Sequence, residues 1–473
     1  MSNRTILQYF EWYLPSDAQH WNRAREDAAH LASLGISDVW LPPAYKAYGG
    51  MNNEGYAVYD TYDLGEFDQK GTIPTKYGTK DQYLAAIQAL HDNGMHVMAD
   101  IVLNHRMGAD FTEDLVGRKI SNDNRTHELL NQKNLRVWTV FSFPGRAGKY
   151  SSFVWTSEHF GAVNYNELTG SADEYVFKLP GHRPSPKVSR EKGNYDYLMG
   201  NDVDFNVPAV VEELGRWGRW YLDFTKVDSL RLDAVKHISS AFFPQWLAML
   251  RRYTNKELFA VGEYWKDSVG ELMRYLDNCG HSMSLFDVPL HHRFQKASYG
   301  DQNIQLADIL KNTLLSEDPD HAVTFVDNHD TQPHQSLESW VEPWFKPLAY
   351  ALILLRKEGT PCVFYGDLYG IPHDNIPKVQ ELEQLLLARR DYAYGHQVDY
   401  FDHPNVIGWT RGDYMAVLMS NGQDGWKDMK LGLPGDVYVD MLGYIEDDVT
   451  IGIDGKGRFF CKGGKVSVWV PKK

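Results

Sequence analysis

Cysteine is nearly absent: the 473 residues hold three, Cys279, Cys362 and Cys461, far apart and in no metal-ligand spacing. Three thiols cannot all pair within one chain, so neither a disulfide framework nor a thiolate metal site is readable, and a reducing, cytoplasmic setting fits best. Long apolar runs are missing as well. No stretch of about 18 apolar residues occurs, so no membrane span is expected. The opening MSNRTILQYFEW has no basic stretch leading into a long apolar one, so no signal peptide is expected either. Positive charge is in deficit, with 48 Lys and Arg against 63 Asp and Glu and a net charge of −15. Such a chain repels phosphate backbones and anionic lipid, which makes nucleic acid and membrane surfaces poor partners. Internal repeats and low-complexity segments are also lacking.

What is present is an alternation. Strand-like apolar runs recur eight times: ILQYFEW from Ile6, ISDVWLPPAY from Ile36, HVMADIVLNH from His96, SLRLDAVKH from Ser229, LFAVGEYW from Leu258, SMSLFDVPLH from Ser282, AVTFVDNHD from Ala322 and PCVFYGDLYG from Pro361. Helix-like stretches lie between them. In TKDQYLAAIQALHDNG, Leu84, Ile87 and Leu90 share a face and Gly94 stops the helix; EPWFKPLAYALILLRKEG is apolar nearly all round and is expected to run to Gly359. Strand and helix alternating eight times predict an α/β fold, a (β/α)₈ barrel.

Two regions break the rhythm. Residues 106–204 are polar and irregular, too long for a loop, and read as a subdomain inserted after the third strand. It leaves from a strand's carboxyl end, so a cleft between it and the barrel could hold a polymer. Residues 396–473 alternate short apolar runs (NVIGWT, YMAVLMS, VYVDML, GRFFCK, KVSVWV) with turn signals, predicting a C-terminal antiparallel β-sandwich domain. Residues 1–105 and 205–395 are then the two parts of the barrel.

Four of the strand runs end in polar residues, and the carboxyl ends of barrel strands converge on one pocket. That convergence brings together Asp233, Glu263 and Asp330, with Arg231, His105 and His329 beside them. Three carboxylates from three strands are the equipment of a glycoside hydrolase working through an acid and a nucleophile. The period of two puts Arg231 and Asp233 on one strand face, where the guanidinium should keep the carboxylate ionised, as a nucleophile needs. Taken alone, that pairing is equally consistent with a structural ion pair. Glu263 is flanked by Val261, Tyr264 and Trp265, an apolar setting in which a carboxyl can retain its proton and act as a general acid. The crowd VDNHD is costly to bury unless it serves a site. Trp12, Tyr13 and Tyr56 are candidate platforms for the apolar faces of sugars and Trp265 a further candidate substrate contact, although any one such ring is more often ordinary packing.

The runs DIVLNH, LRLDAVKH, VGEYW and FVDNHD, in this order, resemble the four signatures of the α-amylase family, glycoside hydrolase family 13. LQYFEWY, DVWLPPAYK, YDTYDLGEFDQKGTIPTKYG and GNYDYLMG extend the resemblance toward its bacterial liquefying-type branch. The resemblance implies Asp233 as nucleophile, Glu263 as general acid/base and Asp330 as the residue that orients sugar hydroxyls. It implies that Arg231 supports Asp233, that His105 and His329 bind hydroxyls, that Tyr56 stacks under the sugar, and that Lys236 and His237 line the leaving-group side. Asp100 is implied to be structural. A Ca²⁺ between barrel and insertion is implied as well, held by Asn104, Asp196, Asp202 and the His237 carbonyl, an all-oxygen set that suits this ion. Asn164 and Asn166 stand where relatives holding further ions would have acids, and Lys187 adds positive charge, so a single ion is expected.

The expected function is therefore an endo-acting α-amylase, cytoplasmic and monomeric, hydrolysing α-1,4-glucosidic bonds of starch, glycogen or maltodextrins with retention. The alternative within the family is a maltooligosaccharide-forming amylase or transglycosylase. A non-catalytic carbohydrate-binding protein on the same barrel would be expected to lack one of the three carboxylates.

Overall fold

The computed structural model describes residues 3–171, 174–301 and 304–472. Eight parallel strands close into a barrel: β1 (Ile6–Gln8), β2 (Asp38–Leu41), β3 (His96–Ile101), β4 (Ser229–Leu232), β5 (Phe259–Gly262), β6 (Ser284–Phe286), β7 (Ala322–Phe325) and β8 (Thr360–Phe364), with β8 returning to β1. Each of the eight apolar runs contributes one strand. The strands are almost wholly buried, as expected of a parallel sheet covered by helices. Helices cover it in turn, beginning with His20–Ser33 after β1 and Lys80–Asp92 after β2.

Helix Lys80–Asp92 shows how local sequence sets its bounds. Thr79 and Gln82 form a capping box at its start, and Gly94, at φ +77°, turns the chain just past its end. The helix expected to run to Gly359 stops sooner, at Leu354. The carbonyls it would use next are taken by side chains: Arg389 donates to Leu354 O, while Arg411 and Trp409 donate to Leu355 O at 3.1 and 3.3 Å. Arg356, itself buried, grips Asp399 with two bonds of 2.8 and 2.9 Å. Tertiary partners outcompete helical propensity there.

The stretch after β3 is more regular than its sequence reads. It holds a six-stranded antiparallel sheet in which a long hairpin, Phe111–Ser121 with Glu128–Val140, is flanked by Tyr175–Lys178, Phe160–Val163, Asn201–Val203 and the two-residue strand His105–Arg106. Leu135, Val137 and Thr139 are buried while Arg136 and Trp138 face outward, the period of two of a half-covered sheet. Buried polar contacts dock this unit on the barrel. Arg146 meets Asp60 at 2.8 Å, and Glu213 of helix Pro208–Thr225 accepts from Tyr62 at 3.0 Å and from Ser151 at 2.6 Å.

Beyond the barrel, a six-stranded antiparallel sheet and the pair Gly425–Lys430 with Lys456–Cys461 form the C-terminal unit. Its Ile407, Trp409, Met415 and Val468 join the barrel's own hydrophobic core. All three cysteines are buried and free. Among the described residues no helix is long and apolar enough to cross a membrane.

The loop after β2, which carries Tyr56, depends on a backbone approach at Gly65. Its φ is +87°, and a Cβ there would lie 2.6 Å from the Gly78 carbonyl oxygen. Gly65→Ala should therefore cost about 2 kcal/mol of stability through strain and displacement of the turn before helix Lys80–Asp92. An unchanged urea midpoint would contradict this account.

Candidate active site

The centre of the site is a single guanidinium. In register, Arg231 of β4 stands beside Asp100 of β3 and Val261 of β5, two residues before Glu263. Its Nη1 donates to Asp100 Oδ1 at 2.9 Å and to Asp233 Oδ1 at 2.7 Å, and its Nη2 donates to Glu263 Oε2 at 3.0 Å. Arg231 is 1% exposed. Asp100 accepts in addition from Trp40 Nε1 at 3.1 Å and from the Tyr56 hydroxyl at 2.8 Å. It is thus the countercharge beneath the pocket, consistent with a structural role.

Asp233 N–H still donates to Ile101 O at 2.9 Å, and past it the chain leaves the sheet abruptly. Ala234 takes φ +51°, unusual for a residue with a Cβ, and its N–H donates to Glu263 Oε2 at 3.0 Å. Two donors thus fall on Oε2 of Glu263 and one on Oδ1 of Asp233. The second oxygen of each carboxyl, Oε1 and Oδ2, is left for chemistry.

Burial governs the protonation of these acids. It pushes Glu263 up to about 8, with the charges of Asp233 and Asp330 acting in the same direction and Arg231 opposing. Asp233 rises to about 6 for the same leading reason, and Asp330 to about 6. The guanidinium lowers the pKa of Asp233, in the direction the sequence predicts, although desolvation outweighs it. The order still separates the two groups, leaving Asp233 the more readily ionised and Glu263 the one that holds a proton near neutrality.

Aromatic rings stand beside the carboxylates. Trp12, Tyr56 and His329 lie parallel within 7°, with centroids 5.1 to 6.1 Å apart. Gln8 donates its amide N–H to His329 Nδ1 at 3.1 Å, which assigns the ring proton to Nε2, 3.4 Å from Asp330 Oδ2. Burial keeps this imidazole neutral. His105 is anchored by Nε2 to the Tyr56 carbonyl at 2.8 Å, so it positions Tyr56 and could reach a sugar only by exchanging that bond. Lys236 donates to the Trp265 carbonyl at 2.9 Å, and the Trp265 ring packs on His291 and Phe325. Two residues emerge that sequence reasoning did not single out. Gln8 orients His329, and Glu11, buried at the end of β1, accepts from Tyr13 N and Gln332. Inward strand position was the signal available for Gln8.

The oxygen ligands expected for a cation are also brought together. Asp202 pairs in register with His105, and Val203 N donates to Asn104 O at 3.0 Å. His237 Nδ1 donates to Tyr195 O at 2.7 Å, drawing the neighbouring Asp196 to the same place. Asn104 Oδ1 is buried with no partner in the protein. Burial drives Asp202 well above the usual carboxylate range, and Asp196 to about 7. Among the described residues no cationic side chain comes within salt-bridge reach of either. An orphaned amide oxygen, the buried Asp202 and the half-buried Asp196, which has only a backbone donor from Ser185, fit a hard, oxygen-seeking divalent ion. Asn166, by contrast, accepts from Arg136 N at 2.9 Å and donates to Asn134 O at 3.3 Å, so its amide is occupied in holding the hairpin.

Beside the strand His105–Arg106, the insertion and Tyr48 of the loop after β2 border an open cavity of about 510 Å³, lined also by Trp138, Tyr165 and Glu167. Trp138 and Tyr165 are exposed rings, and the alternation around residue 137 was the signal that could have placed Trp138 on the open face.

The family described as "Alpha amylase, catalytic domain" matches residues 26–139 and 194–391. The chain is 50% identical to the α-amylase of Geobacillus stearothermophilus, over 100% of this chain and 87% of that protein. It is 46% identical to the glucan 1,4-α-maltohexaosidase of Bacillus sp. strain 707, over 100% and 93%. It is 44% identical to the cytoplasmic α-amylase of Escherichia coli strain K12, over 99% of each. Among solved structures, an α-amylase of Geobacillus thermoleovorans complexed with acarbose superposes with a TM-score of 0.62 over 100% of this chain and 99% of that one; at 14% identity this speaks to the fold alone.

A carboxyl raised by burial binds its proton more tightly folded than unfolded, so its contribution to stability falls as pH rises from the unfolded pKa, 4.5, toward about 8. Glu263→Gln removes that cost. The variant should melt several degrees above the wild type at pH 8 and the gap should close by pH 4; a gap of the same size at both pH values would refute burial as the cause.

Proposed function

The chain belongs to the α-amylase family, glycoside hydrolase family 13, and we infer that it is an endo-acting enzyme cleaving α-1,4-glucosidic bonds of starch, glycogen or maltodextrins with retention of configuration. α-Amylase activity is the function of the chain; which residues perform it, and on what, is the proposal. The observation that carries it is Arg231, holding Asp233 by one nitrogen and Glu263 by the other while Glu263 stays protonated near neutrality.

In this reading a glucan lies across the carboxyl ends of the strands, with a ring against the Trp12–Tyr56–His329 wall. Asp233 attacks the anomeric carbon through Oδ2, and Glu263 gives its proton, held at Oε1, to the leaving glycosidic oxygen. Water, deprotonated by the same glutamate, then hydrolyses the glycosyl-aspartate. Asp330, with Nε2–H of His329 beside it, hydrogen-bonds sugar hydroxyls as the ring flattens. Lys236 and His237 border the leaving-group side. Asn104, Asp196, Asp202 and the His237 carbonyl would hold one Ca²⁺, whose chemistry is to neutralise the buried acids and fasten the insertion to the barrel. The buried free thiols and the name of the Escherichia coli relative support a cytoplasmic location, and with it glycogen or maltodextrins as substrate. The maltohexaosidase relative, together with the ring-lined cavity at Trp138, favours a defined-length product as the second reading; chain-length analysis of the digest distinguishes them.

Incubation with maltoheptaose followed by proton NMR should show the α anomer first, and Asp233→Asn should lower kcat by several orders of magnitude without unfolding the protein. A β product refutes double displacement. Residual activity within about tenfold, under about 1.4 kcal/mol of barrier, refutes the nucleophile.

Chelation should lower both melting temperature and activity, and calcium should restore both, because an ion bound only by the folded state stabilises it. Metal analysis finding two or more tightly held ions between barrel and insertion, or a melting temperature unmoved by exhaustive chelation, would overturn the single-ion reading.

A further inference from the structure

On the opposite face of the barrel, at the amino ends of the adjacent strands β6 and β7, two imidazoles converge on one carboxylate. His281 lies in the turn between helix Val269–Asn278 and β6; Asp318 and His321 lie in the turn before β7. Asp318 Oδ2 is 2.9 Å from His321 Nδ1 and 3.2 Å from His281 Nδ1. Among the described residues, this is the one group of three or more His, Cys, Asp and Glu whose ligand atoms all lie within 4.8 Å of one another. Ligands about 2 Å from a tetrahedral ion stand about 3.4 Å apart, so the pairs at 2.9 and 3.2 Å need to open by only a few tenths of an ångström to admit one.

We propose that His281, His321 and Asp318 bind a divalent transition ion, Zn²⁺, with water in the remaining position. Three features beyond proximity support this. First, His281 uses both ring nitrogens on carboxylates: Nδ1 faces Asp318, and Nε2 lies 3.2 Å from Asp277 Oδ1. A neutral imidazole has one N–H and cannot donate to both. If Nδ1 binds metal, Nε2–H donates to Asp277, which is the carboxylate–histidine–metal arrangement that fixes a ligand's tautomer. Second, the backbone is committed in advance. His281 adopts φ +49°, its N–H donates to Leu276 O at 2.9 Å, and His321 N donates to Asp318 O at 3.1 Å in a closed turn. The cost of ordering the ligands is therefore met by the fold. Third, two nitrogens and one carboxylate form a donor set that favours zinc over calcium, whose preference is oxygen alone. The site is partly open to solvent, so an ion can enter. It lies away from the catalytic carboxylates, and its effect is to tie the end of helix Val269–Asn278 to the entry of β7.

The test uses the full chain, saturated with calcium and stripped of transition ions, titrated with zinc chloride by calorimetry and followed by thermal melting. The comparison variants are His321→Gln and His281→Asn, the latter because asparagine tolerates positive φ. Wild type should bind one equivalent of zinc and melt higher with it; each variant should bind at least tenfold more weakly and lose the zinc-dependent rise. Both should keep wild-type α-amylase activity in zinc-free buffer, which shows that they fold. If wild type takes up no zinc, or if both variants titrate like wild type, the proposal is overturned and the cluster is an ion-pair network.

Discussion

A cation buried beneath a pocket of acids is the constraint from which the rest of the site follows. Arg231 hydrogen-bonds three carboxyls, those of Asp100, Asp233 and Glu263, and Asp330 feels its field as well. One positive charge cannot neutralise so many buried negative ones, and an uncompensated buried charge costs several kcal/mol. The cheapest way out is for an acid to keep its proton. The group that does so is Glu263, which rises further than Asp233 although both touch the same guanidinium. In the proposed mechanism, the proton given to the leaving oxygen is in this sense a consequence of charge counting inside the barrel.

The same logic extends to the junction between barrel and insertion. Where protein cations are available the acids are paired: Asp60 with Arg146, and Asp63 with Lys46. At Asp196 and Asp202 they are not, and an orphaned amide oxygen stands beside them. Other buried acids without a cation, such as Asp287, are met by several backbone N–H groups, whereas among the described residues Asp202 has no such donors, which supports the proposed ion there.

Much of this was legible in the sequence, for reasons that differ by element. The barrel strands announce themselves because parallel strands are buried on both faces and read as unbroken apolar runs, and their polar tips mark the catalytic end. Asp233, Glu263, Asp330 and Arg231 converge as those tips predicted. The hairpin of the insertion was illegible because one face meets solvent and carries Arg, Lys, Asn and Gln, which mask the period of two everywhere except around Leu135, Val137 and Thr139. Strand Gly425–Lys430, with its Trp, Lys and Asp, was hidden for the same reason. The end of helix Lys346–Leu354 was misjudged because the glycine signal at Gly359 is local, whereas the arginines that capture its last carbonyls come from 35 and 56 residues away. The protonation of Asp233 depends on how completely the pocket closes, and no local spacing encodes that.

Closure in turn rests on one backbone irregularity. Had β4 continued in register past Asp233, whose N–H still donates to Ile101 O, the N–H of Ala234 would not have reached Glu263, and Glu263 Oε2 would have had Arg231 alone. The turn into positive φ at Ala234 brings that N–H round to the glutamate, so that Oε2 receives two donors and Oε1 is left as the oxygen on which a proton can reside. A side chain larger than alanine would carry more of its bulk into the crowded left-handed region, where the Cβ already meets the following carbonyl. The small residue, the strained turn and the directional protonation of the glutamate are therefore one feature. It is built where the strand ends because only there can the backbone leave the sheet without breaking the barrel.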